Sequence, residues 1–582
     1  MKRTIIFLIA AVALAKVFQS CSIEPTYYST VEPSTFYSSE DKVYQRFTNA
    51  FQYWTSMYNY SPIWGSFTST SGLATDEFVM PNRNGDWYDD GYYLDHYNHK
   101  FSAAWNGEWY YYWTGFTRGT AEVFDVLDDI EKNVDFEALG IPESTKESLL
   151  NQLNVLVAYY YLMGLDAFGG VPLYTSKQDA IDGLKARASD QETFDYIETL
   201  LKAGIPLLPV KQAGDAENGY ITQGTAAALL ARLYSNAEPY IGKTMWSECA
   251  EICTKIINGD YGYYRLATRF QDIFGYNNST CSEIMWTVPS QTGKLELDGG
   301  SLPWGAHYST WQYLDNDNFM SWNGYCLTPS QDMYGKHYKN EAGNLGGPFK
   351  LGCPYDKFED TDLRKKNYIY LGGGEYEGMF IAGKMLNTKT GVAALYDGSR
   401  EYTEGDTVYM VDQIAQLCPT KVYSNGRKEG ALYGEENSGV RIVKFTPIPN
   451  GADNTMYYDA DIPVIRLTEI VYMLAECKYN LGDKAGAASL INSVRARYFT
   501  GSDPNPVTVA NLDKYRLADE WLIEFIGEGR RRTDLIRWGM YTTESWWDHP
   551  ADGSGKEYLN RLPITISMIE ANPKLEQNPG YN

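Results

Sequence analysis

Leu474-Ala475-Glu476-Cys477-Lys478-Tyr479-Asn480-Leu481-Gly482-Asp483-Lys484-Ala485-Gly486-Ala487-Ala488 decides how this chain folds. Leu474, Tyr479 and Leu481 are large enough to pack between helices. Ala475, Ala485, Ala487 and Ala488 let two helix backbones approach closely, and Gly482-Asp483 breaks one helix and opens the next. This is the punctuation of a tetratricopeptide-like helix pair, predicted over 465–481 and 484–498. Thr222–Tyr234, followed by Trp246, Ala250 and Cys253, has the same form. Each pair buries one face, so several must stack to make a continuous core. Between these pairs lies 263–455, rich in Gly, Asn and Tyr, with apolar runs only at 283–288 and 440–445. The expected fold is mostly α: tetratricopeptide-like helix pairs forming a scaffold that carries a large loop-rich excursion.

Further helices are predicted over 40–60, 120–130, 146–163, 191–203, 246–257 and 512–526, each from apolar residues recurring three and four apart. The stretch 61–116 lacks clean periodicity and is dominated by Gly, Asn, Asp and aromatics; long irregular segments of this kind usually carry function. The chain has 582 residues, 44% apolar and 21% charged, which excludes wholesale disorder. Its net charge of −24 repels phosphate backbones, so nucleic acid is not an expected partner. Aromatic content reaches 15%, with 49 Tyr and 15 Trp, more than a core alone is expected to need. Tyr and Trp suit surfaces that meet half-polar partners, since each joins a flat apolar face to a polar edge.

Residues 1–20 read as a secretory leader: basic Lys2-Arg3, the apolar run Ile5–Ala15, then small or polar residues up to Cys21. A Cys directly after the cleavage region reads as the lipidated first residue of a bacterial lipoprotein. The other seven of eight cysteines are odd in number and sparse, so no disulfide framework is implied. Cys249 and Cys253 lie one helical turn apart and read as core packing. His96 and His99 are close among five histidines but have no evident third ligand, so no metal and no cofactor is expected.

Several ordered motifs resemble the SusD/RagB outer-membrane nutrient-binding lipoproteins of Bacteroidetes. They are Asp166-Ala167-Phe168-Gly169-Gly170-Val171-Pro172-Leu173, Thr225–Tyr234, Ile462-Pro463-Val464-Ile465-Arg466 with Glu469 and Ala475-Glu476, and Glu524-Phe525 with Glu528-Gly529. Arg531, Asp534-Leu535-Ile536-Arg537-Trp538 and the terminal Gln577-Asn578-Pro579-Gly580-Tyr581 complete the set. The resemblance runs from Cys21 to the C-terminus and divides the chain into a leader (1–20) and two regions. Residues 21–260 hold helical repeats and the aromatic-rich loop; residues 261–582 hold the excursion and the closing repeats. It implies four helix pairs and a non-catalytic, lipid-anchored protein on the outer face of the outer membrane. It further implies capture of oligosaccharide or polysaccharide and delivery to a TonB-dependent SusC-like porin. The acidic charge favours a neutral glycan. A protein- or peptide-capturing relative and a glycoside hydrolase are the alternatives.

The hydrolase reading would use Glu520, Glu524 and Glu528, which share a helix row. Their Arg-rich surroundings hold carboxylates ionised, whereas a general acid needs a raised pKa. These groups, with Arg466, Glu469 and Glu476, read instead as a structural ion-pair network, and no catalytic residue is assigned. Binding candidates come from local chemistry. Trp87 sits beside Asn82, Arg83, Asn84 and Asp86, and Trp322 beside Asn316, Asp317 and Asn323; a sugar needs such a mixture of flat apolar faces and hydrogen-bonding groups. Trp304 and Trp311 fall in the second aromatic cluster. Asp76, Asn323, Arg364 and Tyr396 are further ligand-contact candidates, while Trp105, Trp109 and Trp113, spaced by four, read as a packed helix face.

Overall fold

The computed structural model describes residues 33–59, 71–104, 108–291, 294–295, 301–317, 319–338, 349–447 and 459–581. The leader, Cys21 and Trp64 lie outside these residues, as does Trp105. The chain is mostly helical, with short strands. Helices α1 (Glu40–Asn49) and α2 (Gln52–Asn59) pack on α3 (Glu108–Asn133). From there each helix packs on the next: α4 (Glu143–Phe168), α5 (Asp190–Gly204), α6 (Gln223–Ser235), α7 (Trp246–Asn258), α8 (Leu467–Asn480) and α9 (Lys484–Arg495). The whole excursion is therefore spliced between α7 and α8, which nevertheless lie side by side. Helix α10 (Lys514–Phe525) and α11 (Arg531–Arg537) close the fold.

Local chemistry explains these elements. Ser189 and Glu192 form a capping box at the start of α5, and Thr222 and Thr225 form one at α6, each satisfying amide donors the helix leaves unpaired. Close approach of α3 and α4 requires Gly119, where a Cβ would lie 2.3 Å from the Tyr160 ring. Trp109 and Trp113 are buried, as their spacing predicts. Cys249 and Cys253 are buried on α7 with their sulfurs 3.9 Å apart, unbridged. The high aromatic content has a partly internal explanation that composition conceals. Trp54 stacks on Trp286 at 4.5 Å, with Tyr159 edge-on to Trp286, and Trp109, Trp521 and Trp546 are also fully buried. Large rings fill the wide spaces between helices and strands.

The excursion begins and ends at one place. Strand β2 (Ile284–Val288) pairs antiparallel with β6 (Ile462–Arg466), and the Asn278 side chain bonds both the amide and the carbonyl of Asp461. Within the excursion, β3 (Cys326–Leu327) pairs with β1 (Phe78–Val79), and β4 (Phe380–Ile381) with β5 (Arg441–Ile442). The β1–β3 pair carries the segment after Val79 against the segment before Cys326. Among the described residues, no helix is long and apolar enough to cross a membrane.

Candidate functional site

Arg83-Asn84-Gly85-Asp86 forms a tight turn, with paired backbone bonds between Arg83 and Asp86 and both central residues at positive φ. Asn-Gly is the dipeptide that favours this geometry. Trp87 follows, itself at φ +63°, a conformation costly for a bulky side chain and one that marks sites held by their surroundings. Its indole Nε1 donates to the Trp322 carbonyl at 2.8 Å across 235 residues. Trp322 stacks on Trp304 with centroids 4.7 Å apart, and Trp87 meets Trp304 edge-on at 6.1 Å. The two tryptophans singled out in the sequence thus belong to one half-buried cluster with Trp304.

The cluster stands on a stapled base. Amides of Trp322, Asn323 and Gly324 donate to the carbonyls of Pro303, Ala306 and Trp304. Gly324 is required there, since a Cβ would sit 2.7 Å from the Trp304 carbonyl oxygen. Two buried arginines spend their donors on carbonyls of this base. Arg83 bonds Gly324, Glu435 and Ser438, and Arg441 bonds Gly305 and the Asn323 side chain. Burial, helped by the neighbouring Arg83, pushes Arg441 down to about 9. Around the rim, Asp86 accepts from the exposed Arg400 at 2.9 Å and from the Tyr308 hydroxyl at 3.2 Å, while Tyr88 and Met320 are exposed. An indole floor with donors and acceptors at its edge suits a ligand with flat C–H faces and peripheral hydroxyls.

The other sequence-predicted candidates do not join this surface. Asn323 is fully buried beneath it, donating to the Glu436 carbonyl, so its role is to shape the turn. Tyr396 is buried below, stacked on Tyr402 at 4.7 Å and edge-on to His307. Asp76 is buried in a bidentate ion pair with Arg531, at 2.6 and 2.8 Å. Arg364 is buried between Asp362 and Glu524, its guanidinium 3.4 Å from the Tyr498 ring centroid. All four are buried among protein partners, a placement that speaks against the contact roles expected of them. Type and polarity were visible in the sequence, but the waiting counter-charge was not. Conversely, Asp86, Tyr308 and Arg400 were not singled out as contacts, because Arg400 and Asp86 are 314 residues apart.

The carboxylates that suggested hydrolysis are locked. Glu524 accepts from Arg364, Arg466, Arg497 and Tyr498, and Glu528 from Arg466 and Lys444. Burial alone would raise the Glu524 carboxyl, but the facing arginines hold it well below the usual range. Glu469 is held at about 2 in the same way, by Arg232 and Arg530. Neither is a proton donor near neutral pH.

The profile described as the SusD family matches residues 283–581, more than half of the chain. The chain belongs to the SusD family. A second profile, described as "Starch-binding associating with outer membrane", matches residues 27–235. The starch-binding protein SusD of Bacteroides thetaiotaomicron is 26% identical over 446 residues, covering 74% of this chain and 72% of that one. Among solved structures, a SusD superfamily protein of Parabacteroides distasonis superposes with a TM-score of 0.64 at 17% identity, covering 93% and 99% of the two chains. Surface glycan-binding protein A of Bacteroides thetaiotaomicron gives 0.62 at 15% identity, covering 94% and 100%. These likenesses establish the SusD fold, helical scaffold and excursion alike.

Proposed function

We propose that this SusD-family chain is a non-catalytic glycan-binding lipoprotein that captures a neutral oligosaccharide on the Trp87–Trp304–Trp322 platform. The observation that carries this reading is the platform itself. Two polar-flanked loops, far apart in sequence, present indoles in one place, with Asp86, Tyr308 and Arg400 at the rim. The printed names of the relatives, starch-binding and glycan-binding, support the ligand class. Anchoring is through a lipid on Cys21, with the protein facing outward. Supporting this are the leader pattern and the outer-membrane association in the second profile's description. The captured glycan passes to a TonB-dependent SusC-like porin.

Calorimetric titration against a panel of neutral oligosaccharides tests the platform. Trp87→Ala and Trp322→Ala should each weaken binding by about 1–3 kcal/mol, the range for truncating an aromatic anchor, while the rest of the fold persists. Unchanged affinity in both variants would remove the platform from the binding reaction.

A further inference from the structure

We propose that His99, His549 and Asp552 hold a divalent metal ion of the zinc type. The three contribute one ligand atom each, all within 4.8 Å of one another. His99 follows the short helix Tyr92–Tyr97, whereas His549 and Asp552 come from the loop after α11, 453 residues away in the case of Asp552. His96, the histidine nearest in sequence, goes elsewhere: its Nδ1 bonds the Tyr92 carbonyl and its ring packs against Trp109.

The hydrogen bonds identify what is missing between the ligands. His99 Nε2 lies 3.0 Å from the Ala74 carbonyl, which can only accept, so this nitrogen carries the hydrogen. In the neutral ring, Nδ1 then presents a lone pair, and it does so at 2.7 Å from a carboxylate oxygen of Asp552. At that distance a cation lies between the two lone pairs: a proton, which makes an ion pair, or a metal ion shared by both groups. An imidazole whose outer N–H is fixed by a carbonyl while the inner nitrogen faces a carboxylate is how metal-bound histidines are oriented. The second histidine points the same way. His549 is 3% exposed, and neither of its ring nitrogens makes a hydrogen bond of good geometry, the Tyr97 carbonyl being the near neighbour. Its ring is fixed by stacking on Trp546 at 3.9 Å, and its Nε2 lies 3.9 Å from the Asp552 oxygen.

Tetrahedral zinc sets ligand atoms roughly 3.3 Å apart, so 2.7 and 3.9 Å bracket the required spacing. The His99–His549 pair lies within 4.8 Å, so the side chains must draw together by up to about 1.5 Å to close the site. Two imidazoles and one carboxylate match a borderline cation; calcium and magnesium prefer an all-oxygen shell. Asp552 retains 12% side-chain exposure, which gives the ion an entry route and leaves room for water as a fourth ligand. The backbones of His99 and Asp548 both adopt positive φ, so the turns carrying the histidines are held in costly conformations that a shared ion would lock. The ion would clip the N-terminal region to the C-terminal loop.

The test uses the full-length chain, stripped with chelator. Titration with Co²⁺ should give the visible absorption of a tetrahedral site, and competition with Zn²⁺ should give one equivalent and a raised melting temperature. His549→Gln and Asp552→Asn should each weaken binding by at least about a hundredfold, while Cys249→Ser/Cys253→Ser leaves it unchanged. Asp552→Asn, at the edge of the site, serves if His549→Gln does not fold. Absence of a tetrahedral Co²⁺ spectrum in the stripped wild type would overturn the proposal, leaving His99 and Asp552 as a protonated ion pair. One tight equivalent retained by His549→Gln or Asp552→Asn would overturn it equally, by placing the metal elsewhere.

Discussion

Glu77 shows how one residue reads differently in sequence and in the fold. In the sequence Asp76-Glu77 is an acidic pair in an irregular stretch, which suggests ligand contact. In the structure Asp76 takes both oxygens to Arg531, and Glu77 is left buried beside that pair with one carboxyl oxygen unbonded. Burial pushes Glu77 up to about 8, the adjacent Asp76 adding to the rise while Arg531 opposes it. The folded state therefore keeps a proton that the unfolded chain releases above its ordinary carboxylate pKa. The contribution of Glu77 to stability falls as pH climbs from about 4.5 towards about 8, and the loss levels off once the folded group also ionises. Glu77→Gln mimics the protonated form and removes this dependence. Its unfolding free energy relative to wild type, measured by denaturant titration, should rise across that window, reaching an advantage on the order of a few kcal/mol at pH 9. A difference that stays flat with pH would mean that Glu77 is ionised in the fold.

Between elements, charge joins what the excursion separates. Arg232 on α6 makes a bidentate contact with Glu469 on α8, at 2.6 and 2.7 Å. Around Glu524 of α10, the cations Arg364, Arg466, Arg497 and Lys444 meet the carboxylates Asp362, Glu283, Glu524 and Glu528, so the buried network is balanced. Glu524→Gln leaves three arginines short of a partner, and such uncompensated burial costs about 3–5 kcal/mol. Because the folded pKa is depressed, this contribution is fully present above the ordinary carboxylate range and is lost as pH falls through the folded pKa. Denaturation midpoints of variant and wild type should therefore differ most at neutral pH and converge in strong acid. Equal midpoints at pH 7 would deny the network a stabilising role. Its existence was legible, because alternating acids and arginines cluster on the closing helices. The helices themselves were legible too, since burial of one face leaves a period of three to four. The excursion's pairing was not: β1, β3, β4 and β5 are two residues each, too short to show alternation. Hence Trp87 and Trp322 could each be picked out from their polar flanks, but their contact across 235 residues could not.

At the scale of the molecule, two surfaces have separate origins. The platform residues Trp87, Trp304, Trp322, Tyr308 and Arg400 come from the segment before α3 and from the excursion. The array α3–α9 contributes none of these side chains. A packed helical array offers an extended and fairly rigid docking surface that glycan capture leaves unused. If the glycan is captured at the cell surface, as proposed, it serves the cell only once it moves inward. A β-barrel transporter is the partner that would complete this sequence of events, with the glycan held between the two proteins. Tagged protein purified from native membranes in detergent should bring down a stoichiometric outer-membrane barrel. Their interface should bury more than about 2,000 Å², as long-lived complexes do. Barrel contacts would close over the half-buried indoles, so glycan affinity should rise roughly tenfold or more in the complex, equivalent to about 1.4 kcal/mol. Trp322→Ala should then reduce glycan affinity in the complex while leaving barrel recovery largely unchanged, because most of the docking surface would lie on the helical array and one indole is a small part of the whole interface. Recovery of the tagged chain without any barrel would sink the delivery reading, and it would leave the binding measurement on the isolated protein intact.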